Sequence, residues 1–326
     1  MKILFITLSN IGDCILSLPA LDGLLAVYPK AEITVLCGER AFGLFEDNFY
    51  FKRCIVYDRA KGFWHRLKIF LKLRNEVFDL FIDLKNSALP LLLKAKHKTY
   101  PWFNAPSAVV HMRQRHLYKV RKFIPPLEPG RKSLYISDKD RKSIYNILNH
   151  EAGLQAEDKF IVIAPGARSH IKRWPDEKFA QLCVRLMQEF KLKVVLVGDE
   201  NEVEICRAVK KQIEEPIVDL CGKITLKSLA ALIEKAELVI SNDSAVMHLA
   251  SYLDRPTLAI FGPTDYKKYG PWSACREVVS SNLSCSPCEA AQCKIEDTST
   301  PPLRAGAGLK CMRGIKVEEV YAAAKR

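Results

Sequence analysis

The feature that most constrains this chain is a rhythm that occurs twice: a short β-branched or apolar run, a polar turn, then a longer stretch with apolar residues at helical spacing. Residues 2–8 form such a run. Ser9 and Asn10 make the turn, and Ile15, Leu16, Leu18, Leu21, Leu24 and Leu25 form the helical stripe that stops at Tyr28 and Pro29. Further strands are expected at 32–37, 53–57 and 80–83, with an amphipathic stretch at 63–76. The rhythm restarts with strands at 159–164, 193–197, 217–220, 238–241 and 257–261, and with helices at 175–190, 226–236 and 244–253. Such alternation implies a parallel sheet wrapped by helices, because parallel neighbours need a crossover and a helix supplies it. The expected fold is α/β, with two doubly wound, Rossmann-like domains at 1–155 and 156–326 and the turn-rich PPLEPG of 125–130 leading towards the boundary. Sheets of this kind bind ligands beyond the carboxyl ends of their strands, so two domains facing each other would share a central cleft.

At 48% hydrophobic and 27% charged residues, disorder, a collagen-like chain and a disulfide miniprotein are all excluded. No apolar run reaches the ~18 residues that span a bilayer; the 89–93 run ends at Lys94, Lys96 and Lys98. The opening residues lack a long apolar segment followed by a small-residue cleavage site, so they are expected to be a cytoplasmic first strand. Charge is uneven: residues 1–155 hold 25 Lys and Arg against 14 Asp and Glu, and residues 156–326 hold 25 against 23. A single-sign field of this kind either concentrates an anionic partner on the first half (nucleic acid, an acidic membrane surface or a phosphorylated substrate) or is a basic solvated face with no specific partner. Nucleic acid is not the expected partner, since no recognition helix or RNA-binding signature is present and the phosphate-directed motifs fall in the nearly neutral half.

Three motifs at strand ends could carry chemistry. In Ser9-Asn10-Ile11-Gly12-Asp13, Asp13 is either a general base or a helix N-cap. The loop lacks a full GxGxxG, which disfavours a dinucleotide enzyme. In the 165–175 segment, PGARSHIKRWP, the cations Arg168, Lys172 and Arg173 precede a helix, an arrangement suited to a diphosphate. The alternative is a solvated loop anchored by Trp174. In the segment from Ser241 to His248, Asp243 and Ser244 are caps or ligand contacts, Ala245 and Val246 offer N–H groups at a helix start, and His248 follows Ser244 by one turn. Phe261-Gly262-Pro263-Thr264-Asp265 reads as a further turn of the same crevice. Asp219 closes another strand, where a carboxylate could receive ribose hydroxyls or simply face solvent.

In order, IGD at 11–13, PGARSHIKRWP, NDSAVMHLA at 242–250 and DRPTLAIFGPTD at 254–265 resemble glycosyltransferase family 9, the ADP-heptose:lipopolysaccharide heptosyltransferases, over nearly the whole chain. The resemblance implies a GT-B fold, an acceptor bound mainly by the first domain, a nucleotide-sugar donor bound mainly by the second, and inversion at the anomeric carbon with no cofactor required for catalysis. Carried over, Asp13 is the general base and Lys172 the diphosphate contact, assisted by Arg168. Asp243 contacts the donor sugar, Ser244, Ala245 and Val246 bind phosphate and Asp219 receives ribose, while His248, by its spacing from Ser244 alone, either faces the same cleft or is structural. The donor would be ADP-heptose and the acceptor an anionic glycolipid at the inner membrane surface, placing the protein peripherally on the cytoplasmic side. Arg59, Lys61, Arg66, Arg113, Arg115, His116, Lys119, Arg121 and Lys122 would meet that acceptor, while Phe63, Trp64, Trp102 and Phe103 are core or lipid contacts. Another nucleotide sugar, or a module that binds a nucleotide sugar without transferring it, are the alternatives.

Eleven cysteines fall into two sets. Cys14, Cys37, Cys54, Cys183, Cys206, Cys221 and Cys275 read as small buried hydrophobes in a reducing compartment. Cys285, Cys288, Cys293 and Cys311 could hold a structural zinc, form disulfides or stay reduced; an iron–sulfur cluster is chemically possible too.

Overall fold

The computed structural model describes residues 1–58, 61–100, 102, 105–125, 132–155, 158–290, 293 and 309–326. It divides into two compact units, Met1–Tyr135 and Ile136–Arg326.

The first unit runs β1 (Lys2–Ile6), α1 (Ile11–Val27), β2 (Glu32–Cys37), β3 (Arg53–Val56), α2 (Gly62–Leu73), β4 (Val77–Asp83), α3 (Leu89–Leu92), β5 (Lys94–Lys98) and α4 (Met112–Val120). Its sheet is parallel throughout, in the order β3-β2-β1-β4-β5. β1 is central and buried from Ile3 to Ile6, which is why its sequence is an unbroken apolar run. α1 is buried from Cys14 to Leu25, including Asp22, whose carboxylate accepts the Ser133 N–H at 2.6 Å. Over one sheet face Ile69 and Leu73 of α2 and Leu89 and Leu93 at α3 pack with Leu4, Ile6, Phe78 and Phe81. A fully buried side chain of this size contributes about 1.5–3 kcal/mol.

The second unit comprises α5 (Asp138–Ala152), β6 (Phe160–Ala164), α6 (Asp176–Phe190), β7 (Lys193–Leu196), α7 (Val203–Lys210), β8 (Val218–Asp219), α8 (Leu226–Ile233), β9 (Leu238–Asn242), α9 (Ala245–Tyr252), β10 (Thr257–Phe261), α10 (Tyr266–Tyr269), β11 (Arg276–Ser280), α11 (Lys310–Arg313) and α12 (Val317–Ala324). Its parallel sheet has the order β11-β10-β9-β6-β7-β8. α5 opens with a capping box between Ser137 and Asp140 and stops at Gly153, whose φ of 61° needs the left-handed region. It packs on α8, and Arg141 reaches Glu234 at 3.0 Å. The 138–152 helix, placed before residue 156 and thus in the first domain by sequence, accordingly sits with the second unit.

In both sheets the strand order reverses once, between β1 and β4 in the first unit and between β6 and β9 in the second. Those reversals are where adjacent loops splay apart and ligands of doubly wound sheets bind. Two strands are additional to those expected, β5 and β11, and both are sheet edges. An edge strand pairs on one side and needs no continuous apolar run, so the KAKHK of β5 carries no strand signal.

Candidate active site

At the β6/β9 reversal one side chain ties two loops together. Asn242, fully buried at the end of β9, donates through Nδ2 to the Pro165 carbonyl at 2.8 Å and accepts the Trp174 N–H on Oδ1 at 3.1 Å. Trp174 is buried, and its indole N–H donates to the Ile315 carbonyl at 3.1 Å. The 165–174 loop is thus fastened near both ends, and its Lys172 ammonium lies 2.7 Å from Asp243 Oδ2. The lysine side chain is 31% exposed and the aspartate 8%, so a solvent-reachable cation is oriented by a buried carboxylate. Trp174 does anchor the loop, but Lys172 is not on a loosely solvated face. Arg168 is exposed on the same loop.

Ser244 is the N-cap residue of α9, and its hydroxyl lies 2.7 Å from Ser241 Oγ rather than on a helix N–H. The N–H groups of Ala245 and Val246 belong to the first turn, where no carbonyl of the same helix can take them. Unpaired first-turn N–H groups of this kind are suited to an anion. His248 is buried, with its ring stacked on Trp272 at a centroid distance of 5.8 Å. Asp219 lies on β8, two strands from β6 on the side away from β9, and its Oδ1 accepts the Cys221 N–H at 3.0 Å. The fold does not bring it beside the Lys172–Asp243 pair.

Two residues here went unassigned by sequence. Asn242 sat unremarked inside the motif, and a buried amide at a strand end was the signal. Glu202 was read only as part of a turn. Its Oε2 accepts the Asp199 N–H at 3.0 Å, and the carboxylate occupies the space a side chain at Gly166 would need, 2.3 Å from an added Cβ. Burial raises the Glu202 pKa, and the Arg173 guanidinium opposes that rise.

In the first unit the corresponding reversal holds Asp13. The helix N-cap is Asn10, so Asp13 is not the cap; its Oδ2 accepts the Asn10 side-chain N–H at 2.9 Å. The carboxylate is half-buried. Its neighbour Cys14 is held as a neutral thiol, because burial pushes it up to about 12. Across the reversal, buried Asp83 accepts the N–H groups of Lys85 at 2.8 Å and Ser87 at 2.7 Å. This turn sends Lys85 Nζ to Ser9 Oγ at 2.7 Å and to the Tyr57 carbonyl at 3.3 Å. Lys85 is thus a cation on the Ser9 loop, and its place two residues past a strand end is the available sequence signal.

α4 packs on α1 and carries Arg113, Arg115 and Lys119. Lys119 donates to Asn86 Oδ1, and burial lowers its pKa while Asp83 works the other way. Lys61 precedes α2 and pairs with Glu39 at 2.6 Å. Arg59 and Phe103 lie outside the described residues. His116 is a correction: it is 6% exposed, and burial first, then Lys119, Arg115 and His111, push it down to about 4, so it is a neutral packing residue and not an acceptor cation. Phe63, Trp64 and Trp102 are exposed, not core.

The pattern describing glycosyltransferase family 9 (heptosyltransferase) matches residues 66–298, most of the chain. The chain belongs to glycosyltransferase family 9. Lipooligosaccharide heptosyltransferase 2 of Campylobacter jejuni is 26% identical over 100% of this chain and 98% of that one. ADP-heptose lps heptosyltransferase II of E. coli superposes with a TM-score of 0.75 at 23% identity, covering 100% of this chain and 98% of its own. The family 9 glycosyl transferase of Veillonella parvula gives 0.80 at 23%, with 99% and 96% covered. The expected GT-B class, two Rossmann-like parallel sheets, is therefore present.

Four of the cysteines cluster in a tail segment at 285–311. Cys285, Cys288, Cys293 and Cys311 line one pocket of about 140 Å³ with Ile171, Pro263 and Leu309. The Pro263 carbonyl accepts the N–H groups of Cys288 and Glu289 at 3.0 and 2.8 Å, so the 261–265 turn is tied to the tail. Four thiols suit zinc chemically. Yet among the described residues no group of three or more His, Cys, Asp and Glu is arranged to hold a metal ion, and the zinc expectation is without support. No disulfide joins the cysteines. Cys275 is exposed and Cys54 half-buried, which corrects the expectation that all seven scattered thiols are buried.

Proposed function

We propose that this protein transfers heptose from ADP-heptose to the lipopolysaccharide inner core with inversion at the anomeric carbon. Family membership supports the reaction class, and the relatives are named for heptosyl transfer to this type of glycolipid, one of them with ADP-heptose. The observation that carries the reading for this chain is Lys172 held 2.7 Å from Asp243 at the mouth of α9.

The second unit binds the donor. Lys172 and the Ala245 and Val246 N–H groups take the diphosphate, Arg168 adds positive charge, and Asp243 orients Lys172 and meets the sugar. The first unit binds the acceptor through Arg113, Arg115 and Lys119, with Lys61 and Arg59 completing the basic group. Asp13 removes the proton from the attacking acceptor hydroxyl. That oxygen bonds to the anomeric carbon as the bond from that carbon to the donor phosphate breaks, and ADP leaves with its charge neutralised by Lys172. Because the acceptor is an anionic glycolipid, the protein works peripherally at the cytoplasmic face of the inner membrane. Among the described residues no helix is long and apolar enough to cross it.

The test is calorimetric titration with ADP-heptose, with UDP-, GDP- and TDP-sugars as controls. Selective binding of ADP-heptose is expected. Preference for another nucleotide sugar would keep the family and overturn the heptose assignment.

A further inference from the structure

The first unit has an outward face that its own core does not use. α2 buries Ile69 and Leu73 against the sheet, while Trp64, Lys68, Leu71 and Lys72 recur at the spacing of a single helical stripe and are exposed. Trp64 is 78% exposed and Phe63 62%, and their rings pack on each other, 5.6 Å apart, rather than on the core. α3 shares the same buried cluster through Leu89 and Leu93, so it covers the same sheet face, and it too leaves large side chains outside: Leu91 and Leu92. α2 contains no acidic residue, and Lys94 lies two residues past the end of α3.

Large apolar side chains interleaved with lysines, without acids, suit a boundary that is apolar inside and anionic at its surface. A protein partner of complementary charge would supply carboxylates but would not reward a projecting Trp and two Leu unless it also offered a pocket for each. A bilayer accepts them wherever they fall, with the lysine stems lying along the apolar region and their ammonium groups at the lipid phosphates. We infer that the outer face of α2 and α3 is a docking surface for an anionic phospholipid bilayer. Phe63, Trp64, Leu91 and Leu92 enter the headgroup boundary, and Lys68, Lys72 and Lys94 pair with phosphates. The inference rests on the glycolipid reading of the acceptor and names the surface through which the enzyme reaches it.

The experiment is co-sedimentation of the full chain with vesicles of phosphatidylcholine alone and of phosphatidylcholine and phosphatidylglycerol in equal parts. Binding to the anionic vesicles only, weakened by salt, is expected. Trp64→Ser with Leu92→Ser should lower the partition coefficient at least about tenfold, and Lys68→Glu with Lys72→Glu roughly fivefold or more per lysine. Thermal unfolding and turnover on a lipid-free acceptor fragment should be unchanged in both variants. Failure of the wild-type chain to bind anionic vesicles, or equal binding by both variants, overturns the inference. So does a self-associated wild-type chain that the Trp64 variant splits, which would assign the face to a second copy. Vesicle binding lost in the variants while ADP-heptose fails to bind the wild-type chain would leave the docking surface standing and overturn the enzymatic reading instead.

Discussion

Lys172 and Asp243 stand 71 residues apart in sequence and 2.7 Å apart in space, one on the loop after β6 and the other at the end of β9. They meet because the sheet order reverses between those two strands, and because Asn242, next to Asp243, holds both ends of the lysine's loop.

Replacing the cation tests its role. On the proposed donor reading, Lys172→Ala removes one charge-assisted contact to the diphosphate, worth about 1.5–3 kcal/mol. The dissociation constant for ADP, measured calorimetrically, should rise by roughly tenfold to hundredfold. Unchanged affinity in a folded variant would make Lys172 a structural partner of Asp243 alone.

Asp13→Asn keeps the shape of the side chain and its capacity to accept from Asn10, but removes the proposed proton acceptor. Turnover should fall by about 10²-fold or more, with ADP-heptose affinity preserved. The split between kcat and the donor dissociation constant is the readout. A variant that retains its turnover would need another base.

Gly38 lies where a side chain has no room. An added Cβ would sit 2.6 Å from both Cα and the carbonyl oxygen of Ser9, backbone atoms that cannot rotate away. Gly38→Ala should cost about 1–3 kcal/mol in urea unfolding. Since Ser9 leads into Asn10 and Asp13, turnover should fall with it. A shift in neither quantity would show that this loop yields freely.

His116 gives the first unit a pH dependence. Its folded pKa of about 4 is below the ~6.5 of an unfolded histidine, so between those values the unfolded chain binds the additional proton. Stability is full above about pH 6.5 and declines as pH falls through the window, by up to roughly 3 kcal/mol near pH 4. Urea midpoints at neutral pH and near pH 5 should draw together in His116→Leu. An equal decline in both proteins would place the titrating group elsewhere.

The loops that carry the proposed site were legible because their motifs are local. Asp13, Lys172, Asp243 and Ser244 each lie on a segment that follows an apolar run, and the strands at 32–37 and 257–261 coincide with β2 and β10. Less legible were residues whose meaning is a partner elsewhere. Lys85 matters through Ser9, 76 residues away, and Glu202 through Gly166. Where Asp219 and His248 stand was equally illegible: sheet order puts Asp219 on β8, two strands from β6, and His248 stacks on Trp272.

The sequence by itself determined the alternation of strand and helix, the division into two parallel sheets and the loops that carry charge, since these follow from apolar periodicity over a few residues. Tertiary structure decided which loops adjoin, which cations are buried or reach solvent, and which apolar residues stay outside. His116 and Lys119 lie three residues apart on one helix, yet packing leaves the first neutral and lets the second reach Asn86. Burial and pairing are set by what the rest of the chain brings to a position, and no local pattern records them.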